Sequence, residues 1–215
     1  MRPFKTAGRH IPRYRGKVGQ TVHVPSEKNG DWRTCETLGE AALALTFEFD
    51  RDVLAYETQS RVDYRINNKK RMGFSDLRVW RRGHAPHHYE VRLDAALESS
   101  RAQEKLDAKR EALEDVGEGM TVVPRSEALR EPGYSNRKFL YRFRCYAVSA
   151  ASLNYLLGLV GGESPKVLSI AEALDELRRA SMPAATLYYA MATGLVQFDW
   201  DAPIKESAKV WGRKK

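Results

Sequence analysis

Apolar positions recur along the first half of the chain with two different periods. Across residues 34–49, Leu38, Ala42, Leu45 and Phe49 return at helical spacing, which predicts a helix capped by Thr34 or Thr37, with Glu36 and Glu40 one turn apart on one side. From Val53 through Gln59, Val62, Tyr64 and Ile66 the alternation is that of a strand. Asn67-Asn68 marks a turn, a second strand is expected over residues 72–80, a turn over 81–86 and a third strand over 87–93. Upstream, residues 22–24 form a short strand candidate, and residues 26–31, with Asn29-Gly30, a turn. Helical signals return over residues 95–114, where Leu97, Leu106 and Leu113 make a narrow apolar stripe on a charged segment, as on a helix lying outside a sheet. Residues 120–123 are a candidate buried strand.

The second half changes character. Residues 125–145 interleave Arg130, Arg137, Lys138, Arg142 and Arg144 with Tyr134, Phe139, Tyr141 and Phe143, the pattern of a basic amphipathic element whose aromatics enter a core or stack on single strands. Helices are predicted over 149–160, from Ser169 to about residue 180, and from Pro183 to Thr193, with Gly161-Gly162 and Pro165 as breaks and Gly194 as a stop. Residues 195–199 and 207–211 have the look of two short strands. A helix pair followed by a small hairpin is the layout of a winged helix. The expected fold class is α/β: a central mixed sheet flanked by helices over residues 21–125, then a small winged-helix-like α+β domain over 126–215.

Composition narrows the function classes. The chain has 215 residues, 42% hydrophobic and 30% charged, enough for one medium domain or two small ones. Lys and Arg outnumber Asp and Glu by 36 to 28, a net charge of +8. Residues 1–20 form a basic arm without one acidic residue, and Lys209, Arg213, Lys214 and Lys215 repeat the pattern at the other end, which suits either contact with a polyanion such as DNA or simply solvated ends. No apolar run approaches the roughly 20 residues that cross a bilayer, and no signal-peptide core follows the basic start, so a cytoplasmic, nucleoid-associated location is expected. Cys35 and Cys145 are expected as buried reduced thiols.

The candidate chemistry lies around Gly83. An antiparallel hairpin centred there sets position 76 against position 90, so that Asp76 and Glu90 project from one face about 5 Å apart at Cβ, with Arg92 on the same face. Facing carboxylates repel unless a cation or protons separate them, and an all-oxygen pair suits Mg²⁺. A third carboxylate, Glu40 or Glu36 of the preceding helix, would complete such a site; a register shift of one residue would dismantle it. The bland alternative is that these are three of 28 acidic residues, solvated or paired with arginines. His84, His87 and His88 read as H-A-P-H-H, a pattern expected in a surface loop, since neighbouring strand residues point to opposite faces.

The stretches CETLGEAALALTFEFDRDVLAYETQ, GFSDLRVW and HYEVRL together resemble the TnsA endonuclease subunit of heteromeric cut-and-paste transposases, and the resemblance continues through VVPRSEALREPGYSNRKFLYRFR to the C-terminal helices. That family has a restriction-endonuclease-like nuclease domain. The resemblance implies Glu40, Asp76 and Glu90 as ligands of Mg²⁺ (Mn²⁺ as a substitute), with the Glu48 to Asp50 segment, Val53 and Gln59 at the family's other marked positions. It also implies double-stranded DNA at transposon ends, a TnsB-like transposase and a TnsC-like ATPase as partners. Two positions depart from the family pattern: Ser75 stands where proline is common, and Arg92 where the family has its active-site lysine. Arginine keeps the charge but cannot release a proton, and its fork favours gripping a carboxylate or phosphate. The site is therefore expected either to cut DNA with Arg92 in the lysine's role or to be an impaired subunit that scaffolds the complex, with Lys70 or Lys105 as candidates for a substitute amine.

Overall fold

Thr37 starts the first helix. Its hydroxyl accepts the backbone N–H of Glu40, and α1 then runs Leu38–Phe49 with nine of its twelve residues buried. In the computed structural model, which describes residues 21–161 and 166–213, the chain divides into a first compact unit ending at Arg130 and a second beginning at Glu131. The basic arm of residues 1–20, the breaks at Gly162 and Pro165 and the terminal Lys214 and Lys215 lie outside the described residues.

In the first unit β1 (Val22–Ser26) and β2 (Asp31–Cys35) form an antiparallel hairpin. The residues of β2 were expected in a turn and a helix start; they extend because Cys35 pairs with Val22 and enters the core, while α1 begins only after Thr37. β3 (Val53–Ile66), β4 (Lys69–Arg81), β5 (His87–Arg92) and β6 (Gly119–Pro124) form the central four-stranded sheet in that order, antiparallel except for the parallel β5–β6 pair. The expected single helix over 95–114 is broken: a 3-10 segment, Asp94–Glu98, ends at Ser99, whose extended ψ of 118° resets the chain before α2, Ser100–Glu114.

The helices cover the sheet. α1 packs with Tyr56, Leu77, Val79 and Val91, all buried, whereas α2 buries Leu106 and Leu113 with Val62 and Met120. β3 and β6 therefore feed a core on both sides, which is why the buried positions of β3 do not alternate throughout. The alternation is clean only after Gln59, where Ser60, Val62 and Tyr64 are buried and Arg61, Asp63 and Arg65 exposed. Glu48, itself 1% exposed, ties α1 to its neighbours by accepting from the Ser26 hydroxyl at 2.5 Å and the Tyr56 hydroxyl at 2.9 Å.

The short α3 (Arg125–Ala128) closes the first unit. The second unit contains α4 (Gly133–Tyr141), α5 (Ala150–Gly161), β7 (Leu168–Ser169), α6 (Ile170–Arg179), α7 (Ala185–Ala192), β8 (Val196–Phe198) and β9 (Lys209–Gly212), with an antiparallel sheet in the order β7-β9-β8. Ser169 and Glu172 form a reciprocal capping box at the start of α6. Phe139, Phe143 and Tyr188 stack with ring centroids 4.9 to 5.4 Å apart, so those two aromatics of the basic stretch pack within the unit. Cys35 is buried as expected, but Cys145 is exposed. Among the described residues, no helix is long and apolar enough to cross a membrane.

Candidate active site

The β4–β5 ladder pairs Leu77 with Tyr89, Arg78 with His88 and Val79 with His87, the register of a hairpin centred on Gly83; one further step sets Asp76 against Glu90. The ladder ends there. The Asp76 carboxylate accepts the backbone N–H of Val91 at 2.7 Å, and the carbonyl of Phe74 accepts from Lys109 Nζ at 2.7 Å. Ending the ladder leaves backbone groups to be satisfied by side chains, and these side chains build the site.

Glu40 reaches the site from the first turn of α1. Its carboxylate accepts from the Glu36 backbone N–H (2.9 Å), the Thr37 hydroxyl (3.0 Å) and the Gln59 amide (3.3 Å). A Cβ on Gly39 would meet Val91 Cγ1 at 2.9 Å and Arg125 Cγ at 3.3 Å, so only glycine lets α1 approach β5 this closely. Gln59 holds a left-handed conformation, φ +55°, at a non-glycine position, a strain of roughly 1–2 kcal/mol. Its amide is thereby turned onto Glu40. A capping role explains part of Glu40, but capping glutamates are usually solvated, and this one is 4% exposed.

The charges explain what the geometry leaves unbalanced. Burial, then the charges of Glu40 and Glu90, push the Asp76 carboxyl up to about 7, against the help of Val91 N–H and Arg92. Burial likewise raises Glu40, and the Cys35 thiol is pushed well up by burial and by the charges of Glu40 and Asp76. Neither Glu40 nor Asp76 has an ion-pair partner among the described residues. Two buried, mutually repelling carboxylates without a cation are the donor chemistry that a hard divalent ion satisfies.

Glu90 enters the same site differently. It is 0% exposed, with Oε1 held by Lys109 Nζ and Oε2 by the Arg92 guanidinium. Among the described residues, no group of three or more His, Cys, Asp and Glu side chains is placed to hold a metal ion. Arg92 is on β5 with its side chain 31% exposed, at the rim, holding Glu90 Oε2 through a single Nη2–H. The expected substitutes for the amine, Lys70 and Lys105, are exposed; the lysine that arrives is Lys109. It lies three residues after Leu106 and four before Leu113, inside the apolar stripe of α2, and that position was the available signal.

Behind the carboxylates a polar chain crosses the sheet. Ser75 Oγ bonds His88 Nδ1 at 2.7 Å, and His88 Nε2 bonds Glu118 at 2.7 Å; Glu118 also holds Arg78. His88 is thus not in a surface loop: it is 2% exposed on β5, and Ser75, where a proline has no hydroxyl to offer, anchors it. Burial lowers His88, opposed by the Glu118 hydrogen bond and charge, and burial also lowers the half-buried His87.

The Asp76 shift has a measurable sign. A carboxyl raised from 3.8 to about 7 in the folded state contributes stability at low pH that is lost as pH rises between those values. Asp76 should therefore make the metal-free protein progressively less stable as pH rises from about 4 to about 7, and Mn²⁺ should restore on the order of 2 kcal/mol at the upper end. Urea melts of wild type and Asp76→Asn with and without Mn²⁺ across that range isolate the effect from His88; a metal response that is equal in both proteins would exclude it.

No family model matches the chain, and no curated protein matches it.

Proposed function

We propose that the chain is a TnsA-like DNA endonuclease subunit of a heteromeric transposase, with a restriction-endonuclease-like first unit and a winged-helix-like second unit. The observation that carries it is that Asp76, opposite Glu90 at the end of the β4–β5 ladder, feels the charges of both Glu40 and Glu90, while Glu40 and Asp76 are buried and have no ion-pair partner among the described residues.

Glu40 and Asp76 would hold Mg²⁺, or Mn²⁺ in its place, with Glu90 joining once a cation releases it. The bound ion supplies charge neutralisation at the phosphate and a more acidic water. Glu40, oriented by Gln59 and Thr37, and Asp76, oriented by Val91 N–H, hold their oxygens fixed while the phosphodiester is positioned. Arg92 at the rim grips a non-bridging phosphate oxygen. Water adds to phosphorus, one P–O bond to the sugar breaks, and the departing alkoxide takes up a proton, leaving a cut strand. The partner transposase, TnsB-like, cuts the other strand at the transposon end, and a TnsC-like ATPase regulates the pair.

A second reading is favoured by one observation: both Glu90 oxygens are already held by cations. On that reading the site is closed and the subunit binds DNA and partners as a scaffold. Mg²⁺-dependent nicking of transposon-end DNA in the presence of the partner transposase separates the two. Arg92→Lys is expected to lower nicking about 3- to 10-fold, because the fork that holds phosphate is lost. A gain of about 100-fold from the same substitution would identify a site that arginine had disabled.

A further inference from the structure

Lys109 is the least expected group in the molecule. It is a lysine 1% exposed, on the face of α2 that also buries Leu106 and Leu113, and its Nζ reaches the Glu90 carboxylate. Burying an ammonium is costly unless it is paired and hydrogen-bonded, and structural lysines ordinarily extend their heads to water. Here the whole path is built for burial. A Cβ on Gly73 would stand 3.2 Å from Lys109 Cε and 3.1 Å from the Tyr64 ring, so the glycine keeps open the slot through which the stem passes. At its end Nζ donates to the Phe74 carbonyl at 2.7 Å and to Glu90 Oε1. An ammonium has three donors, and those two bonds engage two of them.

The placement is specific in chemical terms. Phe74 and Glu90 flank the position where β4 and β5 stop pairing, the place to which Asp76 and Glu40 also come. Arg92 approaches the other Glu90 oxygen from the rim. Glu90 is therefore held between a buried, point-like amine and a half-exposed planar cation. The two cations differ in what they can do: a compact ammonium with a free N–H can address a water or a phosphate oxygen within the site, whereas the broader guanidinium suits the phosphate outside it.

We propose that Lys109 is the catalytic lysine of this site, delivered from α2 rather than from the strand position two residues after Glu90. Its remaining N–H holds the attacking water or the non-bridging oxygen of the cleaved phosphate, and Arg92 is left with substrate binding. This rests on the nuclease reading above and assigns that reading its missing amine.

The test uses the full chain, supercoiled plasmid DNA and Mn²⁺, with Mn²⁺ binding followed separately by electron paramagnetic resonance. Lys109→Met is expected to lower nicking about 100-fold or more while Mn²⁺ affinity is kept or tightened, because Glu90 loses a competing cation. Adding Arg92→Lys to Lys109→Met is expected to recover at least about 10-fold of the loss, since it restores an amine at the strand position; a lysine that served only to support the fold would not be replaced from there. Lys109→Arg keeps the charge beside Glu90 for folding, and is expected to melt near wild type and still nick about 100-fold more slowly. Lys109→Met nicking within about threefold of wild type at equal folded fraction, with Asp76→Asn inactive, would overturn the assignment and leave the nuclease reading standing. A wild type that neither binds Mn²⁺ nor nicks, or an Asp76→Asn protein that does both as wild type does, would overturn the nuclease reading and this inference with it.

Discussion

Asp76→Asn is expected to abolish metal-dependent strand cleavage, by about 10³-fold or more, while the folded protein becomes more stable at neutral pH. The pairing of those outcomes follows from the position of the side chain. Asp76 is 8% exposed, and burial together with Glu40 and Glu90 pushes it up to about 7. A neutral amide of the same shape removes that repulsion and can still accept the Val91 N–H through its oxygen. The gain should be on the order of 2 kcal/mol in metal-free buffer near pH 8, and Mn²⁺ should no longer raise stability. Loss of stability together with loss of cleavage would indicate an ordinary structural aspartate. A gain in stability with loss of cleavage is the signature of a residue held at thermodynamic cost for function.

Leu77→Ala is expected to destabilise the first unit by about 3 kcal/mol, with the urea midpoint moving and the slope unchanged. Leu77 is 0% exposed, packs in the cluster that joins α1 to the sheet, and forms with Tyr89 the last ladder pair before the carboxylates. Its truncation leaves a cavity between the helix that carries Glu40 and the strand that carries Asp76. Cleavage should therefore fall more than stability alone accounts for, because the two carboxylates are held in place by that packing. A loss below about 1 kcal/mol would mean that the core relaxes around the gap.

Much of the site could be read from local signals. Thr37 with Glu40 three residues later is a capping pattern, and it marks where α1 begins. The turn around Gly83 sets the β4–β5 register and with it the opposition of Asp76 and Glu90. Other features depend on contacts made across long separations in sequence. β2 carries little strand signal, and its extension follows from pairing with β1 and the burial of Cys35. The start of β4, Lys69 to Arg71, is a run of exposed cations that shows no apolar alternation; it extends because each residue has a partner on β3. His88 looked like part of a loop because its two hydrogen-bond partners, Ser75 and Glu118, are 13 and 30 residues away. Lys109 was concealed by its residue type, since a lysine on a charged helix is ordinarily solvated; only its place between Leu106 and Leu113 set it apart. Arg92, read from sequence as the sole occupant of the lysine's position, shares Glu90 with that helix lysine.

Glu40 and Asp76, with Glu90 opposite Asp76, are proposed as a divalent-metal site. A crystal soaked in Mn²⁺, with anomalous data collected at the manganese edge, tests it without requiring DNA, partner proteins or turnover. One anomalous peak is expected within about 2.5 Å of carboxylate oxygens of both Glu40 and Asp76, absent from Asp76→Asn crystals. An empty map at that position with manganese bound elsewhere, or the same peak in both proteins, would contradict it.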